Sequence, residues 1–128
     1  MRIRYAHAAT GLVAALGSVL ALPGVAGAHA TLVHCNVARD SRLTAAPKTL
    51  SCIFAEGVQP KGSFVDIVAG DDGGVLNPKD SQVSFSNPKE MDLPLPKLNK
   101  GTYGILWFTI SADDGHKAGG YFTFIITK

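Results

Sequence analysis

Beyond residue 28 the sequence has no apolar run long enough to cross a bilayer, which takes roughly 20 residues. It also has no apolar pattern that keeps the helical period of about 3.6 residues for three turns. The first absence excludes a membrane-spanning helix in this part of the chain, and the second excludes a helical bundle. What the sequence does contain is a series of short β-rich runs separated by Gly, Pro, Asn and Asp.

The sequence also lacks a large excess of either positive or negative charge. The whole chain has 12 Lys and Arg against 10 Asp and Glu, and Arg2 and Arg4 account for the difference. No basic run or stripe remains downstream of them, so the sequence predicts neither a nucleic-acid partner nor adsorption to anionic lipid.

The first 28 residues have the layout of a secretory signal peptide. Two arginines precede the apolar run Ala8–Leu22, which at 15 residues is short for a transmembrane helix. A Pro-Gly break and small residues follow, ending at Ala28. We predict cleavage between Ala28 and His29, which places a domain of residues 29–128 in the periplasm or otherwise outside the cytoplasm, with no membrane insertion.

Cysteine is scarce, since Cys35 and Cys52 are the only two. An exported protein meets an oxidising compartment, so we expect a disulfide bond between them. The bond would span 17 positions of the chain and contribute about 3 kcal/mol in the chain-entropy model. Two alternatives stay open: a pair of separate buried thiols, or Cys35 as a soft copper ligand beside His34.

The β-rich runs predict the fold. They cover residues 30–37, 50–55, 62–69, 82–86, 91–95, 103–110 and 122–126. Prolines 94 and 96 indicate an edge strand. At 103–110, apolar residues stand at both odd-numbered and even-numbered positions, which indicates a central strand covered on both faces. We expect Trp107 and the phenylalanines in the core. About seven strands in one domain predict an all-β, immunoglobulin-like Greek-key β-sandwich.

Potential metal-binding chemistry lies at the mature N-terminus and in the segment Asp113-Asp114-Gly115-His116. An N-terminal histidine offers its α-amine and its imidazole Nδ1, which can close a chelate ring on one metal. In Asp114-Gly115-His116, a spacing of two places both side chains on the same side of an extended backbone. The α-amine and imidazole of His29 and the imidazole of His116 are three nitrogen donors, and the carboxylate of Asp114 is an oxygen donor. This set of donors favours Cu(II) in a tetragonal plane.

The sequence therefore predicts one Cu(II) per chain, held by His29, Asp114 and His116, with Asp113 as a rival ligand. The alternative is that Asp-Gly forms an ordinary hairpin turn and His116 is a solvent-exposed loop residue. His34 is expected to be a surface histidine outside this site. Glu56 is either a solvated carboxylate or a group that supports the ligands.

These residues resemble the CopC/PcoC-type family of periplasmic copper-binding (copper resistance) proteins. The likeness covers the mature start His29-Ala30, AAPKTLSCIFAEGV at 45–58, GTYGILW at 101–107, and SADDGH at 111–116 followed by Gly120 and YFTF. The resemblance implies a Greek-key β-sandwich that binds Cu(II) through an N-terminal histidine and an Asp-x-His motif. By position those ligands are His29, Asp114 and His116.

The resemblance also implies a role in copper resistance, homeostasis or transport, with transfer of copper to an inner-membrane transporter. Some relatives have a methionine-rich Cu(I) site, but Met91 is the only methionine after residue 28. We therefore expect a monomeric Cu(II) protein that is not an enzyme. The alternatives are a copper monooxygenase with a histidine brace and a metal-free immunoglobulin-like accessory module.

Overall fold

The computed structural model describes residues 29–70, 72–76 and 78–128, so the predicted signal segment 1–28 lies outside them. Eight strands form two four-stranded sheets. The strands are β1 (Leu32–Cys35), β2 (Arg42–Leu43), β3 (Thr49–Phe54), β4 (Phe64–Ala69), β5 (Gln82–Val83), β6 (Glu90–Pro94), β7 (Gly101–Ile110) and β8 (Lys117–Ile126). Nothing in the described part of the chain is a helix with the length and apolar character needed to cross a membrane.

One sheet has the strand order β1-β3-β6-β5 and the other has the order β2-β8-β7-β4. Every pairing is antiparallel except that of β2 with β8, which is parallel. The two sheets face each other across one core. This architecture confirms the predicted all-β sandwich in a single domain.

The core forms because alternate residues of each strand point to the same side of a sheet. In β3 the buried positions are Leu50, Cys52 and Phe54, and in β8 they are Phe122, Phe124 and Ile126. The Phe54 and Trp107 rings of opposite sheets are 5.7 Å apart at their centroids. The expected place of Trp107, Phe54, Phe122 and Phe124 in the core is thus confirmed.

Three details differ from the sequence-based expectations. The strand β6 is not at an edge but lies between β3 and β5, because Pro94 is only its last residue. The strand β7 is central as predicted, yet its outer face is open enough to leave Leu106 36% exposed. Phe85 is fully exposed and therefore not part of the core.

Cys35 and Cys52 form the predicted disulfide bond. They are directly opposite each other in the pairing of β1 with β3, so the bond joins two neighbouring strands of the same sheet. The bonded Cys35 has no thiolate to offer, and its alternative role as a soft copper ligand does not apply to this structure.

Candidate metal centre

His29 lies at one end of the sandwich, directly before β1. The neighbouring Ala30 is fully buried, and its carbonyl accepts a hydrogen bond of 2.6 Å from the Thr109 hydroxyl of β7. The Thr31 carbonyl accepts a second bond from the Ala55 N–H at 2.9 Å. These contacts fix the backbone beside His29, while its side chain remains exposed to solvent.

The segment Ser111–His116 joins β7 to β8 at the same end of the molecule. The Ser111 N–H donates to the His116 carbonyl at 2.8 Å, and the Gly115 N–H donates to the Ser111 carbonyl at 3.0 Å. Gly115 has a φ of 75°, a conformation that glycine adopts without the strain a Cβ would bring. The turn holds the side chains of Asp114 and His116 on its exposed surface.

The two histidines predicted to share a metal are in contact. The ring centroids of His29 and His116 are 4.9 Å apart, in an edge-to-face arrangement with an interplanar angle of 68°. Two exposed imidazoles that lie far apart in the chain are therefore in contact. The fold achieves this because the residue before β1 and the β7–β8 turn lie at the same end of the sandwich.

Asp114 bonds to His116 twice. Its Oδ2 is 2.5 Å from the His116 Nδ1, and its Oδ1 accepts the His116 backbone N–H at 3.0 Å. The backbone bond, followed by the side-chain bond, lowers the pKa of Asp114 below its usual range. The carboxylate thus stays ionised and orients the imidazole, leaving the Nε2 atom of His116 free of this bond.

Asp113, the rival ligand, faces Glu56 rather than His116. A hydrogen bond from the Asp113 side chain is the main cause of a raised pKa at Glu56. The Ala112 N–H bonds to the Gly57 carbonyl at 2.9 Å, and Val58 forms a β-bridge with Ser111. These backbone contacts bring Glu56 to the candidate site, where the sequence alone had left its role open.

The described residues contain no group of three or more His, Cys, Asp or Glu side chains already arranged to hold a metal ion. The predicted fourth donor is an α-amine, which is not a side chain and exists only after cleavage before His29. Two adjacent imidazoles beside the ionised carboxylate of Asp114 nevertheless match the nitrogen and oxygen donors that suit Cu(II). The ligand set thus remains a prediction.

His34 is exposed on β1. It makes no ring contact, hydrogen bond or ion pair with His29 or His116 in the described part of the structure. Its position is that of a surface histidine outside the pair.

Comparison with known proteins identifies the family of this chain. Residues 32–127 match the model of the CopC domain. The chain is 33% identical over 114 residues to Protein YobA of Escherichia coli strain K12, which covers 88% of this chain and 90% of that protein. Protein YobA of Shigella flexneri matches to the same extent.

Two solved structures share the fold. CopC from Methylosinus trichosporium OB3b is 25% identical with a TM-score of 0.68, covering 77% of this chain and 94% of that one. PcoC, a methionine-rich copper resistance protein from Escherichia coli, is 27% identical with a TM-score of 0.62, covering 78% of this chain and 100% of that one. The family match spans most of the chain and the folds agree, so the protein belongs to the CopC family.

Proposed function

We propose that the exported domain 29–128 binds one Cu(II) ion through the α-amine and imidazole of His29, the carboxylate of Asp114 and the imidazole of His116. The observation that carries this proposal is the contact between the two imidazole rings, 4.9 Å apart at their centroids. Both rings are exposed, so a metal ion can reach them from solvent.

The choice of Asp114 over Asp113 follows from protonation. A carboxylate must be ionised to bind a metal, and the bonds to His116 already favour the ionised form of Asp114. Asp113 instead shares a hydrogen bond with Glu56, and this bond is the main cause of the raised pKa of Glu56. We keep Asp113 as the rival ligand, with Glu56 as its partner.

The signal peptide is part of this proposal. While Ala28 is attached, the nitrogen of His29 belongs to a peptide bond and cannot chelate a metal together with the imidazole. Cleavage between Ala28 and His29 would therefore both release the domain into the periplasm and create the metal site.

The proposed biological role is copper transport, homeostasis or resistance without catalysis. PcoC, one of the structural relatives, is described as a copper resistance protein. A small exported domain with an exposed metal site is suited to buffering copper or passing it to an inner-membrane transporter. We propose that it works as a monomer.

A Cu(II) titration against a competing chelator tests the proposal on protein that begins at His29. The matched variants are His116→Ala, which removes a proposed ligand, and His34→Ala, which removes the other histidine of the mature chain outside the site. We expect one Cu(II) per chain, with affinity reduced more than about 100-fold in His116→Ala, beyond the 10- to 100-fold typical of losing only an orienting partner. His34→Ala should bind as the parent does. Equal binding by parent and His116→Ala would overturn the proposed site.

A further inference from the structure

One side of the sandwich has two free strand edges. The strand β1 is an edge strand of its sheet. On the other sheet, β2 covers β8 only at Ile125 and Ile126, and the Asp40 N–H bonds to the Thr123 carbonyl. Among the described residues, no strand pairs with Lys117–Phe122 on the side away from β7.

The backbone groups on that free edge can be assigned. The Ser111 N–H bonds to the His116 carbonyl, so His116 and every second residue after it face β7. The residues between them point their N–H and C=O groups outward, as the use of the Thr123 carbonyl by Asp40 confirms. Lys117, Gly119 and Tyr121 therefore present donors and acceptors to an added strand.

A cavity of about 500 Å³ opens between the two free edges. We call it the edge groove. Its lining consists of Leu32, Val33, His34, Cys35, Val37, Ala38, Arg39, Trp107, Gly119, Gly120, Tyr121 and Phe122. Most of these side chains are apolar, which suits the burial of an apolar side chain from a ligand.

Trp107 lines the edge groove with an unused hydrogen-bond donor. Only 9% of this residue is exposed, and its indole Nε1–H, which is not fully enclosed, makes no hydrogen bond with the described residues. Gly120 makes room for the ring, because a Cβ at that position would lie 2.7 Å from the Nε1 atom. Indole N–H groups that are largely buried usually have a partner, and a carbonyl of a bound peptide would supply one.

Arg39 is the one lining residue of the edge groove with a formal charge at neutral pH. Its guanidinium carbon is 5.6 Å from the Phe122 ring centroid. No carboxylate side chain is among the lining residues. Lys117, on the free edge of β8, adds a further cation, while the carboxylates of Asp113 and Asp114 lie beyond it in the β7–β8 turn, outside the lining of the edge groove. This distribution complements an acidic ligand.

From these observations we propose that the edge groove binds an extended acidic segment of a partner protein. The segment adds to β8 as a strand, through hydrogen bonds to Lys117, Gly119 and Tyr121. One of its carbonyls accepts the Trp107 indole N–H. An acidic side chain interacts with Arg39.

The location of the edge groove connects it with the metal centre. Its β1 wall begins at Leu32, three residues after His29, and its β8 wall begins at Gly119, three residues after His116. A strand bound there would have one end beside the two imidazoles. A role in copper exchange with the partner rests on the proposed function, whereas the binding of the peptide does not need a metal.

The test uses metal-free protein starting at His29 and the blocked heptapeptide Glu-Val-Glu-Phe-Glu-Val-Glu as the probe. Nuclear magnetic resonance follows the backbone amides and the single indole N–H, since Trp107 is the only tryptophan. We expect the peptide to shift the Trp107 indole signal and to slow hydrogen exchange at Lys117, Gly119 and Tyr121. A version with Lys in place of Glu, and one with a methylated backbone, should each bind about tenfold more weakly or worse.

Two variants assign the charge interaction. Arg39→Gln should weaken binding of the Glu peptide roughly tenfold. Arg42→Gln, a matched change at an exposed arginine of β2 outside the edge groove, should leave it unchanged. An equal effect of both variants would contradict the assigned role of Arg39.

Other outcomes would overturn the proposal. These are shifts confined to another edge such as β5, no shift at the highest soluble peptide concentration, or equal binding of the Lys peptide. Protection of the β8 edge that grows with protein concentration alone would assign the groove to a second copy of the chain. Because metal-free protein is used, a failure here leaves the copper titration standing, and a failed copper site leaves the peptide result standing.

Discussion

Asp114 combines two properties at the scale of a single residue. Its bonds to the backbone and ring of His116 hold the imidazole in place, and they keep the carboxylate ionised. A carboxylate that orients a neighbouring imidazole is common beside metals in proteins. In this chain the same carboxylate is also the proposed oxygen ligand, and in that role its Oδ2 exchanges the bond to the His116 ring for a bond to the metal.

Copper affinity should therefore depend on pH through the nitrogen donors. A free α-amine ordinarily titrates near 7.7 to 8.0 and a free imidazole near about 6.5, and each must lose its proton to bind copper. Because the pKa of Asp114 lies below its usual range, this carboxylate stays ionised throughout that interval. Titrations in a series of buffers should show affinity falling more than about 100-fold from about pH 8 to about pH 5. An affinity that stays constant over this range would exclude the proposed ligand set.

Asp66 provides a stability test away from the candidate site. Its Oδ1 atom is buried without a hydrogen-bond partner in the described structure, and burial raises the pKa of this carboxyl. A raised pKa means that the folded state prefers the protonated form, so the ionised form destabilises the fold at neutral pH. The destabilisation disappears as the pH falls through the raised pKa.

Asp66→Thr should accordingly increase the free energy of unfolding at pH 7 by up to about 1 kcal/mol, a figure reduced to allow for partial exposure. Urea denaturation measures the change, and the gain should shrink under acidic conditions. Asp80→Thr, at an exposed aspartate, is the control for the change in residue type. A gain that is the same at neutral and acidic pH would contradict the explanation.

At the scale of structural elements, the β7–β8 hairpin positions the proposed ligands. Gly115 and Gly73 have nearly the same backbone conformation, with φ of 75° and 70°, and a Cβ added at either would meet no atom within 4 Å. Their replacement by alanine therefore isolates the cost of a positive φ. The two glycines differ in that Gly115 alone lies between Asp114 and His116.

We predict that Gly115→Ala and Gly73→Ala each lower the free energy of unfolding by about 1 kcal/mol. Only Gly115→Ala should weaken Cu(II) binding, because only its turn carries proposed ligands. Urea denaturation and copper titration of both variants measure the two effects. Loss of copper affinity in Gly73→Ala as well would show that general destabilisation, not local geometry, controls binding.

The disulfide bond between β1 and β3 makes a separate contribution. Replacing both Cys35 and Cys52 with alanine should lower the free energy of unfolding by about 3 kcal/mol, because the unfolded chain is no longer closed into a loop. Denaturation of the double variant beside the oxidised parent measures this loss. Copper affinity of the folded double variant should match that of the parent, whereas a large loss would point to sulfur in the site.

Strand positions could be predicted from the sequence because alternation of apolar residues reports directly on a half-buried strand. The strand β2 could not, since its two residues are ordered by parallel pairing with the distant end of β8. The edge assignment of β6 was wrong because a proline at the last position of a strand does not disrupt its interior. In each case the missing information is a contact between residues far apart in the chain.

The candidate site was predictable to a similar extent. We expected His29 and His116 to lie close together because we predicted that an N-terminal histidine and a histidine at a strand turn bind the same metal ion. The approach of Glu56 to Asp113 depends on the bridge between Val58 and Ser111, which no local pattern in the sequence indicates. A carboxylate at a strand end gave no signal that another carboxylate would lie beside it.

At the scale of the whole molecule, the sandwich brings His29, the first residue of the predicted mature domain, and the β7–β8 turn to one end. The remaining donor, the α-amine, exists only if the predicted signal peptide is cut directly before His29. We therefore propose that the copper site is complete only with a free amine at His29. No side-chain substitution tests this claim directly, whereas one added residue does.

The most direct measurement is Cu(II) titration followed by electron paramagnetic resonance, on protein confirmed by mass to begin at His29 and on a version with one alanine added in front. We predict tight one-to-one binding and a nitrogen-rich tetragonal signal for the first protein, and the loss of both for the second. Equal, weak binding by the two proteins would contradict the amine–histidine site and with it the proposed function.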